Sequence, residues 1–264
     1  MKLGCTFVTQ EFCMREMQGI VIRTTRYGEN SVIAELLTAE EGSLTVIAGG
    51  LRSKRGRAHA ALLKTGTPVS VILYFKPGAN IHRLKEAHAG YRLQSIPFSI
   101  VKSSVLLFLI DVGRSAFQAY SENERSYQFL MDHISELDQR SEQLGRVPIE
   151  FMMNLSQHLG FGPAFDQDEN PGYFDLRQGV FTPTLPAHHN VLSEQDAQDF
   201  WLLGRHLRHA STAPDIGRHT RQRLLDALIL FFRLHIEQFK VPKSHEVLAQ
   251  LFRPPQKSSN SGST

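Results

Sequence analysis

A chain of 264 residues holds two ordinary domains or one large one. Its 41% hydrophobic and 21% charged residues exclude a disordered or fibrous protein, and the longest apolar run, Ala227 to Phe232, is far too short to span a bilayer. The net charge of +3 is unevenly laid out: Met17 to Ser95 carries 11 Lys/Arg against 5 Asp/Glu, whereas Ile96 to Arg253 carries 15 against 19. A basic unit joined to an acidic body suits a polyanion at the first and a different partner at the second.

Both cysteines, Cys5 and Cys13, lie in the first 13 residues, which rules out a disulfide framework or a thiolate site in the body of the chain. No cationic segment followed by a long apolar stretch opens the sequence, so the expected compartment is the cytoplasm. Residues 1–16 have weak periodicity and end at a second methionine. Met17 is therefore expected to be the functional start, with residues 1–16 an N-terminal extension.

From residue 17 to 95 the pattern is all-β. Gly19–Tyr27 (GIVIRTTRY) is β-branched and aromatic, and Ser31–Thr38 (SVIAELLT) follows a Gly-Glu-Asn turn. Ser43–Ala48 (SLTVIA) follows Glu-Glu-Gly and completes a tight hairpin. Thr67–Phe75 (TPVSVILYF) alternates, and Lys-Pro-Gly-Ala-Asn turns it into Ile81–His88. Five short strands with Gly-rich corners in under 80 residues are what a small closed barrel requires. Between the third and fourth strands lies Gly49–Ala61 (GGLRSKRGRAHAA), a basic loop with room for one helical turn.

After Pro97 the period becomes helical, predicting a helical domain over 96–253. Phe98–Tyr120 carries an apolar stripe at Val101, Val105, Phe108, Leu109, Val112 and Phe117. Ser121 with Glu124 forms a capping box for a helix whose apolar face is Tyr127, Leu130, Met131, Ile134 and Leu137. Pro148 suits the first turn of a third helix ending at Gly160. A non-helical insert, Gly162–Asn190, holds a hairpin at Tyr173–Thr182. Ser193 caps a helix to about Arg208, Thr220–Lys240 is the most apolar helix, and Ser244 caps a short final one. The tail from Pro254 (PPQKSSNSGST) is expected to be disordered.

These residues resemble the RecO family of DNA repair and recombination mediators. GIVIRTTRYGENSVIAELLT is similar to the family's opening strand-turn-strand, AGGLRSKRGR to its basic loop and Leu84–Ala87 (LKEA) to its closing strand. LGFGP at Leu159–Pro163 falls at the family's helix-ending turn. Arg223, Leu224, Leu225, His235, Lys243, Ser244, Val247 and Leu248 follow its C-terminal pattern. The resemblance, from Met17 to Phe252, implies an α+β chain with an N-terminal five-stranded OB-fold barrel and a C-terminal helical domain carrying a small non-helical insert. It implies binding to single- and double-stranded DNA, strand annealing, and help in loading RecA onto strands coated by single-strand DNA-binding protein. The implied partners are RecR and the acidic, apolar C-terminal tail of that coating protein, with RecA engaged indirectly and the protein associated with the nucleoid. Many members carry four cysteines in the insert as a zinc site. Here the insert has none, as in the metal-free, Bacteroidetes-like subset, so no metal or other cofactor is expected, and the Tyr173–Thr182 hairpin with its aromatics is a candidate substitute.

Arg52, Lys54, Arg55 and Arg57 are the foremost DNA-binding candidates. Four cations within six residues, without a neighbouring acid, suit sequence-independent, salt-sensitive contact with phosphates; the alternative is a solvated turn. Arg83 and Lys85 share a face of the last strand and extend the track, whereas Arg23 and Arg26 on the first strand do not share one. Tyr27, Tyr74 and Phe75 are the aromatics available for base stacking. Since Tyr74 and Phe75 point to opposite faces, at most one is exposed, and neither is assigned. Arg218, Arg221 and Arg223 form a second basic group at the start of the long apolar helix. Beside the ridge Leu224, Leu225 and Leu228 they are candidates for an acidic protein tail. His188-His189, and His206 with His209, lack metal-site spacing, and Asp166, Asp168 and Glu169 lack the continuation of a calcium loop. With no phosphate-binding, dinucleotide or nucleophile-elbow motif either, no catalytic residue is expected. The alternative to a recombination mediator is an RNA-binding OB-fold protein with a helical interaction domain.

Overall fold

Inward side chains alternate with outward ones along much of five strands: β1 (Cys13–Tyr27), β2 (Ser31–Thr38), β3 (Gly42–Gly49), β4 (Pro68–Phe75) and β5 (His82–Ala89). The computed structural model describes residues 13–118, 123–165, 172–209 and 214–251. The strands close into a barrel in the order β1-β2-β3-β5-β4, antiparallel except where β3 meets β5. Helix α1 (Lys54–Leu62) lies between β3 and β4. This is the OB-fold arrangement, as the sequence predicts. Ala34, Leu36, Val46, Val71 and Leu73 fill the interior with no exposure to solvent.

Strand β1 begins ahead of Met17. Cys13, Met14, Arg15 and Glu16 are already part of β1, paired with Phe75, Tyr74, Leu73 and Ile72 of β4. All four are exposed, so the alternation by which a half-buried strand announces itself is missing there. Residues 1–12 lie outside the described residues, as do Ser121, the acidic group Asp166, Asp168 and Glu169, and the tail from Pro254.

The remaining helices are α2 (Ile100–Phe117), α3 (Asn123–Gln139), α4 (Val147–His158), α5 (Glu194–His209), α6 (Arg218–His235) and α7 (Ser244–Leu251). The chain forms two compact units, residues 1–98 with 116–140, and residues 99–115 with 141–264. Helix α3 thus belongs with the barrel, packing against β1, β2 and β3 through the buried face Leu130, Ile134 and Leu137. Change of period and compactness divide the chain at different places.

In the second unit Pro148 sits in the first turn of α4 and Gly160, at φ 83°, follows its end. The insert contains β6 (Tyr173–Asp175) and β7 (Val180–Thr182), the expected hairpin, with β8 (Val191–Leu192) added beside β6. The Ser193 hydroxyl accepts from the Asp196 N–H (3.3 Å), as expected of a cap. Ser244 does not cap. It is the first residue of α7, and its hydroxyl donates to Asp111 of α2 at 2.8 Å.

One carboxylate joins α3 to the end of the barrel. Asp138, buried near the end of α3, accepts from the backbone N–H groups of Gln94 (2.6 Å), Ser95 (2.8 Å) and Ile96 (2.9 Å) and from the Ser95 hydroxyl (3.2 Å). Burial by itself would raise this carboxyl, but the N–H donors of Gln94, Ile96 and Ser95 outweigh it and hold the pKa below the usual value. A depressed folded pKa gives stability that is complete above the unfolded value, about 3.9, and lost as pH falls through the folded one. Asp138→Asn, which turns a donor toward these N–H groups, is expected to destabilise the protein by about 2–3 kcal/mol at pH 7. Urea unfolding should show that deficit shrinking below pH 4.

Candidate nucleic-acid interface

The basic segment is mostly helix rather than loop. Gly50, at φ 80°, turns the chain out of β3. Ser53 then caps α1, its hydroxyl accepting from Gly56 N–H (3.0 Å) while donating to Gly50 O (2.8 Å). Leu51 N–H donates to Asn30 O and Arg52 N–H to Asn30 Oδ1, so the β1–β2 turn holds the segment from the other side. A Cβ at position 56 would overlap the carbonyl of Gly50, so only glycine permits α1 to begin here.

Two of the four cations have acids, contrary to the reading from sequence. Arg52 pairs with Glu29 (2.8 Å) and Arg55 with Glu86 (3.0 Å). The pairing of β2 with β3 brings in Glu29 and the meeting of β3 with β5 brings in Glu86, 23 and 31 residues away. Arg57 donates to Arg52 O at 2.8 Å. The guanidiniums stay exposed, and such surface pairs contribute about 0–1 kcal/mol, so a phosphate displaces the acids at little cost. Lys54 has no side-chain partner among the described residues.

The other candidates divide as alternation requires. Arg23 is paired across the ladder with Glu35, 3.5 Å away, while Arg26 stands opposite inward-facing Val32 at the rim. Arg83 and Lys85 both face outward on β5. Opposite them the ladder steps from Leu73↔Leu84 to Ile72↔Glu86, which leaves Lys85 as the extra residue of a bulge. Arg55 donates to Lys85 O (3.3 Å), so α1 and this strand are in direct contact. Tyr27 is 58% and Tyr74 38% exposed, while Phe75 is buried and stacked on His82.

The second basic group lies in the other unit and is only partly available. Arg223 holds Asp196 through Nε (2.9 Å) and Nη2 (2.7 Å). Leu224 and Leu228 are core residues, so the expected ridge is absent; the helix period shows that they share a face but not that this face is covered. Arg221 donates to Ile216 O (2.6 Å) and lies between two openings. One is a polar cleft of about 180 Å³ that includes Arg146 and Asp215. The other is a shallow apolar groove formed by Pro148, Ile149, Leu225 and Leu248, with Arg218 at its edge.

Comparison with known proteins agrees with this layout. The family described as Recombination protein O N terminal matches residues 14–90, and Recombination protein O C terminal matches residues 97–245. The DNA repair protein RecO of Phocaeicola vulgatus is 28% identical over 242 residues, covering 90% of this chain and 99% of that one. Those of Bacteroides fragilis strain YCH46 and Porphyromonas gingivalis strain W83 are 27% and 26% identical, over 90% and 89% of this chain and 99% and 98% of theirs.

The chain belongs to the RecO family.

RecO proteins act in DNA repair and recombination and bind DNA. Among the described residues no helix is long and apolar enough to cross a membrane. The match to the RecO N-terminal domain starts at residue 14, inside the strand that periodicity missed. Tetrahedral zinc, which the resemblance implies for many members, needs four donors; this insert has no cysteine, Asp175 and His188 bond each other at 3.2 Å, and among the described residues no group of three or more His, Cys, Asp or Glu is set to hold a metal.

Gly56 is the residue of the site that sequence reasoning missed; the available signal was a glycine in the first turn of a helix, where it costs stability unless space demands it. Gly56→Ala is expected to destabilise the barrel unit by about 1–3 kcal/mol through overpacking. Limited trypsinolysis should then cut between Arg52 and Arg57 faster than in the parent, although no charge has changed.

Proposed function

We propose that this RecO-family chain is a recombination mediator, without catalytic activity, that binds and anneals single-stranded DNA. It also binds duplex DNA and helps load RecA onto strands coated by single-strand DNA-binding protein, acting at the nucleoid with RecR. The observation that carries this reading is the run of exposed cations on the OB barrel. Arg52, Lys54, Arg55 and Arg57 are fixed by α1, and Arg55 connects them with Lys85 and Arg83 on β5. Arg23 and Arg26 lie on another strand of the same barrel. Charges displayed in this way meet phosphates without reading bases, as a protein acting on any damaged sequence requires.

The second unit balances 14 Lys/Arg against 14 Asp/Glu, so its local basic group at the start of α6 stands out as a place for an acidic protein segment. An acidic tail with apolar residues needs a cation for its carboxylates and a groove for its side chains. Arg218 and Arg221 supply the cations, and the depression of about 30 Å³ beside Pro148 and Leu225 has room for a small apolar group; we assign the tail of the single-strand DNA-binding protein to this place. Arg223, spent on Asp196, has no part in it.

Replacing Arg52, Lys54, Arg55 and Arg57 together by serine is expected to weaken single-strand binding. The log–log salt slope should flatten by about one unit for each phosphate that is no longer neutralised. Circular dichroism should stay unchanged, and a variant with the parental slope would reduce the segment to a solvated surface. For the groove, a labelled tail peptide titrated against Arg218→Ala/Arg221→Ala should lose affinity while DNA binding is retained. Unchanged peptide affinity would place the tail elsewhere.

A further inference from the structure

The surface of the barrel carries a row of outward residues that strand alternation would normally make polar. Ile33 is paired with Ile47, Ile47 with Arg83, Arg83 with Tyr74, and Tyr74 with Met14, so one line runs across β2, β3, β5, β4 and β1. Cross-strand partners share a face, and the inward neighbours Val32, Val46, Leu84 and Leu73 are buried. Tyr74 and Met14 are 38% and 62% exposed, and Arg83 is exposed as well. Among the described residues the Tyr74 ring has no aromatic or hydrogen-bonding partner.

Single exposed apolar side chains need no explanation; an aromatic and a methionine side by side between cations do. The Lys85 ammonium is 3.1 Å from Met14 Sδ, and Arg83 adjoins Tyr74 on the other side. Of the acids on these strands, Glu86 accepts from Arg55 (3.0 Å) and Glu16 from the Ser70 hydroxyl (2.9 Å). A flat ring flanked by cations has the two elements by which an unpaired base and its phosphate are held. A protein partner would need only the apolar part of the row; the cations, continuous with α1 through Arg55, favour a nucleic acid.

We infer that Tyr74, with Met14 beside it, is a stacking platform for one base of a single strand, while Arg83 and Lys85 hold the adjacent phosphates. The inference deepens the single-strand binding proposed above and rests on it. Duplex DNA keeps its bases stacked on each other and does not use the platform.

The test is made on the full chain with oligothymidylate and with a duplex of equal length, across a salt series. Tyr74→Phe keeps the ring and should bind like the parent. Tyr74→Leu keeps apolar bulk and should lose about ten-fold or more in single-strand affinity, with the salt slope and the duplex affinity unchanged because every phosphate keeps its cation. Photo-cross-linking of the unmodified protein to an oligonucleotide containing 5-iodouracil should label the peptide with Tyr74, a readout that survives any folding defect of a variant. Parental single-strand affinity in Tyr74→Leu, an equal loss on duplex, or cross-links confined to other peptides such as that of Tyr27 would each overturn the platform while leaving single-strand binding intact. Loss of binding to RecR with DNA affinity preserved would make the row a protein contact instead. Absence of salt-dependent single-strand binding by the parent would overturn the underlying function as well.

Discussion

The approach of Gly56 to the carbonyl of Gly50 decides what the barrel can present. With hydrogen in place of a side chain, the chain leaves β3, turns, and starts α1 within a few residues of the strand end. Ser53 then satisfies both the turn and the helix with one hydroxyl. The cations of the segment inherit fixed positions from this geometry. Arg52 is held over the β1–β2 turn and Arg55 over β5, so a segment that reads as mobile charge is anchored at both ends while its charged tips remain in water. Pre-positioned cations lose less freedom on meeting a phosphate than those of a free loop.

The second constraint concerns coverage. An OB barrel has an outer surface as well as a core, and α3 covers part of it. Ile20 and Leu37, paired across β1 and β2 and not part of the barrel core, are nevertheless buried, and α3 is packed on these strands. Asp138 holds the end of that helix through three consecutive N–H groups beyond β5, a bond pattern that tolerates no register slip. In the row from Ile33 to Met14, Ile33 and Ile47 are half-buried, whereas Tyr74 and Met14 are exposed beside cations. The contrast between the stretch sealed by a helix and this exposed end separates a surface used for stability from one available for a ligand.

How much of this was legible in the sequence follows from the range of each interaction. Alternation over eight residues and a stripe at helical spacing are local, so four of the five strands and the main helices were readable within a few residues. Cys13–Glu16 escaped because an exposed strand end has no alternation to read. The partners of Arg52 and Arg55 escaped because Glu29 reaches Arg52 through the pairing of β2 with β3, and Glu86 reaches Arg55 through the meeting of β3 with β5; the pairing of β1 with β4 likewise sets Met14 beside Tyr74. Periodicity grouped Leu224, Leu225 and Leu228 correctly on α6 but carried no information on what covers them. Opposite faces for Tyr74 and Phe75 were legible; which of the two faced water depended on the pairing of β4 with both its neighbours.

The insert is held by contacts that reach beyond its own loop. Here Phe174 and Phe181 of the hairpin face each other at 4.8 Å, and Phe174 meets Phe200 of α5 at 5.0 Å and Phe231 of α6 at 5.9 Å. Phe165, ahead of the hairpin, packs against Phe181 and Phe200 and lies where a side chain on Gly204 would stand. Asp175 tightens the hairpin turn by accepting from Arg177 and Gln178 N–H, and His188 bonds its free oxygen. The insert is therefore stabilised from outside, by rings shared with two helices. Helix α6, whose buried face supplies Phe231, also carries Arg218 and Arg221 at its start, so the packing that holds the insert is continuous with the helix that sets the edge of the proposed peptide groove, and a substitution at Phe231 reaches both.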